Sequence, residues 1–487
     1  MSSKVKTLAK HSVIYGFGSV LTASAGFILI PIYTHVLSTT EYGVLEILNR
    51  LADILIVIMF MGVRQAYIRI YFEKDTDEWR RSVTASALVF SLISSFSISI
   101  LIYLFGDVLA EQYLQSEIGT VVILLVLIWL PLEMLINIGL SYLQINMKSH
   151  LYISVNFIRL VSFIILNYVM LYYFKMGVKG VFLSQVIITG IISLVFVAYF
   201  IKWTRMKVSF EIVKELLHFG LPYIPTTFFG FVIANSDKYF LSIYSGLDEV
   251  GVYALGSKIG ILGVMVLMEP FNKVWSPFVF SNYKTPEGPK LIGDVFLAFT
   301  GVSVYVALGL AITAPAIIPL ISSEEFHSAH IVVPYVALSS ALFGMMCLSD
   351  IGILIAKKTK YKPIISMLAA GVCVVSSGIL IYKFGIIGAA VALIITQLAY
   401  YAFTYFVSNK YYQMKLRQID LAGVVVIGIA TYLLINWVSI SDNLYLDLFV
   451  KVLLATIVYL FGLFAIGVIR KELINDVRYF VYSRKKR

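Results

Sequence analysis

Apolar residues form long runs along the whole chain, each about 20 residues and separated by short polar breaks. They show neither the period-two alternation of a half-buried strand nor the single apolar stripe of a surface helix. Runs of that length match a helix crossing the roughly 30 Å hydrocarbon layer of a bilayer. Fourteen such helices are predicted, near 12–34, 42–63, 82–105, 118–142, 153–174, 180–201, 216–243, 250–270, 291–315, 330–356, 363–382, 386–408, 420–439 and 447–469. No break between them is long enough for a folded extramembrane domain. The pattern predicts an all-α polytopic membrane protein.

Composition narrows the class. The chain has 487 residues, 60% apolar and 13% charged, with a mean hydropathy of +0.90. A soluble domain is about half apolar and a quarter charged, so a soluble enzyme and a disordered regulator are excluded. The two cysteines, Cys347 and Cys373, both lie in apolar runs, which leaves no disulfide framework and no CxxC metal site. Six histidines form no H-E-x-x-H, and no Walker glycine loop is present. No metal, cofactor, ATPase or other enzymatic activity is expected. At the N-terminus, Lys4, Lys6 and Lys10 precede an apolar run, and Ala23-Ser24-Ala25 resembles a signal-peptidase site. The run continues through Ile30, so an uncleaved first helix is expected.

The formal charge of +11 would suggest nucleic acid in a soluble protein. Here its distribution favours topology. With the N-terminus placed in the cytoplasm, thirty of the 38 Lys and Arg fall on the cytoplasmic side. Three (Lys175, Lys179, Lys383) fall outside, and five (Arg50, Arg159, Lys238, Lys258, Lys451) lie within spans. That asymmetry is a strong positive-inside signal. It predicts a multi-pass protein of the cell membrane with both termini cytoplasmic and no nucleic-acid partner. The tail Arg484-Lys485-Lys486-Arg487 reads as an anchor near anionic membrane lipid.

The sequence also matches itself. Thr40-Glu41-Tyr42-Gly43-Val44 resembles Asp248-Glu249-Val250-Gly251-Val252 at an offset of 208. Gly177-Val178-Lys179-Gly180 resembles Gly385-Ile386-Ile387-Gly388 at the same offset, and Lys148-Ser149-His150-Leu151 resembles Lys358-Thr359-Lys360-Tyr361 at 210. The matches fall in equivalent loops of helices 1–6 and 7–12. Six is even, so both halves enter the membrane in one sense and are related by an axis along its normal. The expected organisation is a six-helix bundle over 1–205, a second over 206–415, and a helix pair with a basic tail over 416–487. Two bundles facing each other across a central cavity follow from this symmetry.

Fourteen helices in a 6+6+2 arrangement, no ATPase, and the early segment Pro31-Ile-Tyr-Thr-His-Val-Leu-Ser-Thr-Thr-Glu-Tyr-Gly43 resemble the polysaccharide transporters. These are the Wzx-type flippases of the multidrug/oligosaccharidyl-lipid/polysaccharide (MOP) exporter superfamily. The resemblance covers essentially the whole chain and rests on pattern more than on any diagnostic motif. It implies translocation of an undecaprenyl-diphosphate-linked oligosaccharide from the cytoplasmic to the external leaflet by alternating access. Its implied partners are that lipid-linked oligosaccharide, membrane lipid and polysaccharide assembly proteins. A monomer is favoured.

Charges inside spans cost about 3 kcal/mol each on insertion scales and are functional candidates by default. Arg50 on the second helix and Lys258 on the eighth are related by the same offset of 208. Two cations at matching positions, aimed into one cavity, would suit a diphosphate. The plainer reading of Arg50 is a pair with Asp53 one turn away. For Lys258 it is snorkelling or pairing with another helix, with Gly256-x-x-x-Gly260 as a close helix contact. Arg159, near a cytoplasmic end, and Arg64, closing the second helix, are further phosphate candidates. Snorkelling and topology are their plainer readings.

Acidic candidates for ion coupling are Asp350, Asp237, Asp53, Glu269 and Glu133. Asp350 leads because it lies deep in the predicted tenth helix; its alternative is an ion pair with Lys258 or Lys238. Asp237-Lys238 follows Pro222-Tyr223-Ile224-Pro225, where two prolines should kink the helix. Adjacent residues diverge by about 100° on a helix, so those two should not pair with each other alone. Lys451 reads as snorkelling. The 32 Tyr and 33 Phe supply interfacial belts or sugar-stacking surfaces.

Three other functions compete. A MATE-type drug/cation antiporter usually has twelve helices and a more acidic cavity. A lipid II flippase has fourteen helices and a cationic cavity. A membrane polysaccharide polymerase or ligase is disfavoured by the missing long external loop and the lack of a compact acid–base cluster.

Overall fold

The computed structural model describes residues 27–104, 117–205, 207–437, 444–470 and 475. Most of the first predicted helix and the basic tail lie outside the described residues. The described residues are helical, without strands. The chain forms two compact units, Met1–Phe231 and Val232–Arg487.

In the first unit the helices are α1 (Phe27–Val36), α2 (Thr39–Phe60), α3 (Val63–Ile70), α4 (Asp77–Leu104), α5 (Glu117–Ile145), α6 (Ser149–Tyr168), α7 (Gly177–Thr204) and α8 (Phe210–Gly220). A 3-10 turn at Leu221–Tyr223 leads into α9 (Ile224–Tyr244), within which the units meet in sequence. Pro222 lies in this turn and Pro225 in the first turn of α9, where the α-helical pattern gives way to 3-10 geometry. Ser38 starts α2 with a capping box: Glu41 N–H donates to Ser38 Oγ at 3.2 Å, and Ser38 N–H to Glu41 Oε2 at 3.1 Å.

The second predicted helix ends at Phe60, within three residues of its expected bound, and Met61 (φ 46) and Gly62 (φ 71) separate it from α3. Gly62 is required there. A Cβ on it would lie 2.1 Å from the carbonyl oxygen of Gly220, at the end of α8. The interruption frees carbonyls at the end of α2, and Ser94 of α4 donates to one of them, Met59 O, at 2.7 Å.

The second unit holds most of α9, then α10 (Leu247–Asn282), α11 (Gly288–Ile321), α12 (Val333–Ser349), α13 (Ile351–Ile355), α14 (Tyr361–Asn409), α15 (Gln418–Asn436) and α16 (Leu444–Ala465). The final pair packs on α11. A Cβ at Gly428 would meet Val304 Cγ1 at 2.4 Å, and Tyr459 Oη donates to Gly301 O at 2.9 Å. Small residues let helices approach where the hydrophobic effect gives no preference between lipid and protein.

Eleven helices among the described residues are long and apolar enough to cross a membrane. The difference from fourteen has three sources. The 49-residue α14 joins the eleventh and twelfth predicted helices across Gly385, whose φ of 54° and ψ of −130° only glycine adopts readily. Four ionisable residues on α2, Glu41, Glu46, Arg50 and Asp53, take it below span-like apolarity. The described part of the first helix, Phe27–Val36, is too short.

The repeat has a backbone counterpart inside each unit. Gly177 and Gly385, 208 apart, have φ of 53° and 54°. Met147 and Lys357, 210 apart, have φ of 54° and 56°. Ser38 and Gly246, again 208 apart, are the N-caps of α2 and α10.

Candidate functional site

Equivalent caps set equivalent positions along each helix. Arg50 lies twelve residues after the N-cap of α2, and Lys258 twelve after that of α10. At 1.5 Å per residue both sit roughly 18 Å along their own helix.

Arg50 is partly buried and already engaged. Its Nη1 is 2.8 Å from Asp53 Oδ2, and its Nη2 is 3.9 Å from Glu46 Oε2. The Nε is buried without a hydrogen-bond partner. Asp53 is half exposed, whereas Glu46 is only 2% exposed. Glu46 was absent from the acidic candidates, although it stands four residues before Arg50 on the same helical face, the spacing that pairs side chains. The cluster thus holds two carboxylates and one guanidinium.

Arg159 on α6 meets Glu133 on α5 with both nitrogens of its fork: Nη2 to Oε2 at 2.5 Å and Nη1 to Oε1 at 3.1 Å. Asn137 Nδ2 also donates to Glu133 Oε1 at 3.3 Å. Pairing therefore joins a phosphate candidate to an acid candidate. Arg64 does not close a continuous helix; it opens α3 beyond the Gly62 interruption and is exposed.

In the second unit, Lys258 is half-buried between two glycines. A Cβ on Gly256 would lie 2.5 Å from Ala329 O, and one on Gly260 would lie 2.8 Å from Val336 Cβ. The Gly256-x-x-x-Gly260 face is thus a close helix contact. Asp237 is 5% exposed; it accepts from Tyr253 Oη at 2.6 Å and from its neighbour's Lys238 N–H at 2.8 Å. Lys238 Nζ also stands 3.8 Å from Asp237 Oδ1. The adjacent pair does form, but Tyr253 of α10 supplies the shorter contact.

Asp350 is not deep within a continuous helix. It stands at the junction of α12 and α13 and accepts from Lys362 Nζ of α14 at 2.6 Å. Lys362 is one of the thirty cations that the charge distribution places on the cytoplasmic side, and it takes the place of the expected partners Lys258 and Lys238. The junction's freed Gly352 N–H donates to Ser408 Oγ at 2.8 Å. The Glu269 side chain lies outside the described residues. Lys451 pairs with Asp447 at 2.8 Å. Among the described residues no group of His, Cys, Asp and Glu could hold a metal ion.

The described residues form a helical multi-pass membrane protein with paired charges on its long helices. The chain belongs to the polysaccharide biosynthesis protein family, whose sequence model matches residues 8–283. It is 21% identical to the uncharacterized membrane protein MJ1068 of Methanocaldococcus jannaschii, over 97% of each chain. Its structure is similar to lipid II flippase MurJ in an inward closed conformation, with a TM-score of 0.71 at 16% identity, over 98% of this chain and 100% of that one. An inward-facing MATE multidrug transporter aligns with a TM-score of 0.63 at 14% identity, over 82% and 95%.

Proposed function

We propose that the protein flips a polyprenyl-diphosphate-linked oligosaccharide from the cytoplasmic to the external leaflet for cell-surface polysaccharide synthesis. The carrying observation is the end-to-end likeness in fold to a lipid II flippase, 98% of one chain on 100% of the other, in a member of the polysaccharide biosynthesis family. The proposal includes fourteen helices in a 6+6+2 arrangement, cytoplasmic termini, a monomer and alternating access between the two repeat halves.

Arg50 and Lys258 are the proposed diphosphate contacts, with Arg159 and Arg64 as further cations. The Arg50 geometry supports an exchange. A phosphate oxygen replaces the half-exposed Asp53, while the buried Glu46 stays in place. Such an exchange avoids leaving a bare guanidinium in a low-dielectric span between cycles. Asp53, Glu133, Asp237, Glu269 and Asp350 are the proposed carboxylates for any ion coupling.

One observation favours a second reading. Two carboxylates flank Arg50, and carboxylates on a membrane helix also suit a cation antiporter of the MATE type. Gene deletion with complementation separates the readings. An Arg50→Ala variant that inserts normally should lose surface polysaccharide and retain the lipid-linked oligosaccharide on the cytoplasmic leaflet. Accumulation on the external leaflet would instead indicate a polymerase or ligase. Full export with altered efflux of a cationic dye would favour the antiporter.

A further inference from the structure

A second charged site lies wholly inside the second unit, away from Lys258, Asp237 and Asp350. The start of α11, the segment joining α14 to α15, and the residues after α16 enclose a hollow of about 360 Å³. Its charged lining is Lys290, Lys415, Arg417, Arg470, Asp294 and Asp420. Four cations face two carboxylates.

The hollow is built rather than incidental. Asp420, 7% exposed in the first turn of α15, accepts from Arg470 Nη2 at 3.1 Å and stands 3.6 Å from Arg417 Nε. One buried carboxylate therefore orients two guanidinium groups. The Arg417 and Arg470 side chains are 63% and 43% exposed; Arg470 also donates its Nε to Gly467 O, which leaves its Nη1 as the donor not engaged by these contacts. The joining segment is clamped on α11. Lys415 N–H donates to Pro289 O at 3.0 Å, and a Cβ on Gly293 would lie 2.7 Å from Lys415 O. Buried Met414 and Val468 line the same hollow.

We propose that this hollow binds a phosphate group, held by Arg417 and Arg470 with Lys415 beside them. Guanidinium forks match phosphate oxygens in pairs, and a surplus of cations leaves charge for an anion to neutralise. On the proposed topology this end of the unit meets the cytoplasmic leaflet, where basic pockets between helices take anionic headgroups. A lipid headgroup and free phosphate share this chemistry.

The test uses the purified full-length protein in detergent. Thermal unfolding is followed during titration with phosphatidylglycerol, phosphatidylcholine or inorganic phosphate. Two variants are compared with the parent, Arg417→Gln and Lys415→Gln, both changing exposed side chains and leaving the Arg470–Asp420 pair intact. Phosphatidylglycerol should raise the unfolding temperature of the parent, and Arg417→Gln should need about tenfold more lipid for the same effect. Stabilisation by phosphatidylglycerol alone, weakened in the variants, assigns the site to a lipid headgroup. Stabilisation by inorganic phosphate, weakened in the same way, assigns it to a free phosphate. Equal responses of parent and variants, or equal effects of phosphatidylcholine and phosphatidylglycerol, overturn the proposal.

Discussion

The Glu133–Arg159 pair offers the sharpest separation of structural from transport roles. Replacing Glu133 by Gln keeps the shape and the Asn137 contact but leaves the Arg159 charge without its counterion. At an effective dielectric of 20, unit charges about 4 Å apart attract by roughly 4 kcal/mol, before desolvation is subtracted. Removing one member of a fully buried pair costs about 3–5 kcal/mol. Arg159 retains 28% exposure, and polar contacts within bilayers average below about 1 kcal/mol when both partners are removed. The single variant should therefore lose about 2–3 kcal/mol. The double variant Glu133→Gln/Arg159→Gln should lose about 1 kcal/mol, because no bare charge is left. Detergent-driven unfolding of the four members of the cycle measures this directly. Additive losses, with the double variant the least stable, would refute the ion-pair account. Export adds a second readout. If the pair only holds α5 to α6, the double variant exports polysaccharide normally. Loss of export in a stably folded double variant places Arg159 in the transport path.

Other expectations test the interruptions in the helices. Gly62→Ala should cost about 2–4 kcal/mol, from a left-handed φ and a clash with the Gly220 carbonyl. Gly230→Ala, with nothing within 4 Å of the new Cβ, is the control, and detergent-solubilised yield and thermal midpoint report both. Gly385→Ala, at φ 54°, should lower the midpoint by an amount equivalent to about 1–2 kcal/mol, since an L-residue there is strained. Ser94→Ala should cost about 1 kcal/mol by leaving Met59 O without its donor; an unchanged unfolding midpoint would remove that hydrogen bond from the account.

Much of the architecture was written in the one-dimensional pattern. A bilayer demands long apolar helices, so hydropathy alone located nearly every membrane-crossing segment. Pro222 and Pro225 announced the break before α9. Self-similarity marked Gly177 and Gly385 as equivalent before their matching φ values gave a reason: each takes a positive φ at a helix junction, which glycine adopts without strain. Position along a helix was legible as well. Asp53 as a partner for Arg50 followed from i,i+3 spacing, and Glu46 was available by the same rule.

Partners contributed by other helices were not legible. Nothing in the chain around residue 159 points to Glu133, nor anything near 350 to Lys362, because each contact joins helices whose rotation about their axes is fixed only by packing. Tyr253 reaching Asp237 and Arg470 reaching Asp420 are of the same kind. Sequence determined that this protein is a bundle of membrane helices, since that follows from how much apolar surface each segment must place in lipid. Tertiary structure alone decided which charges on different helices neutralise one another, since a charge in a low-dielectric interior takes whatever counterion the neighbouring helix presents.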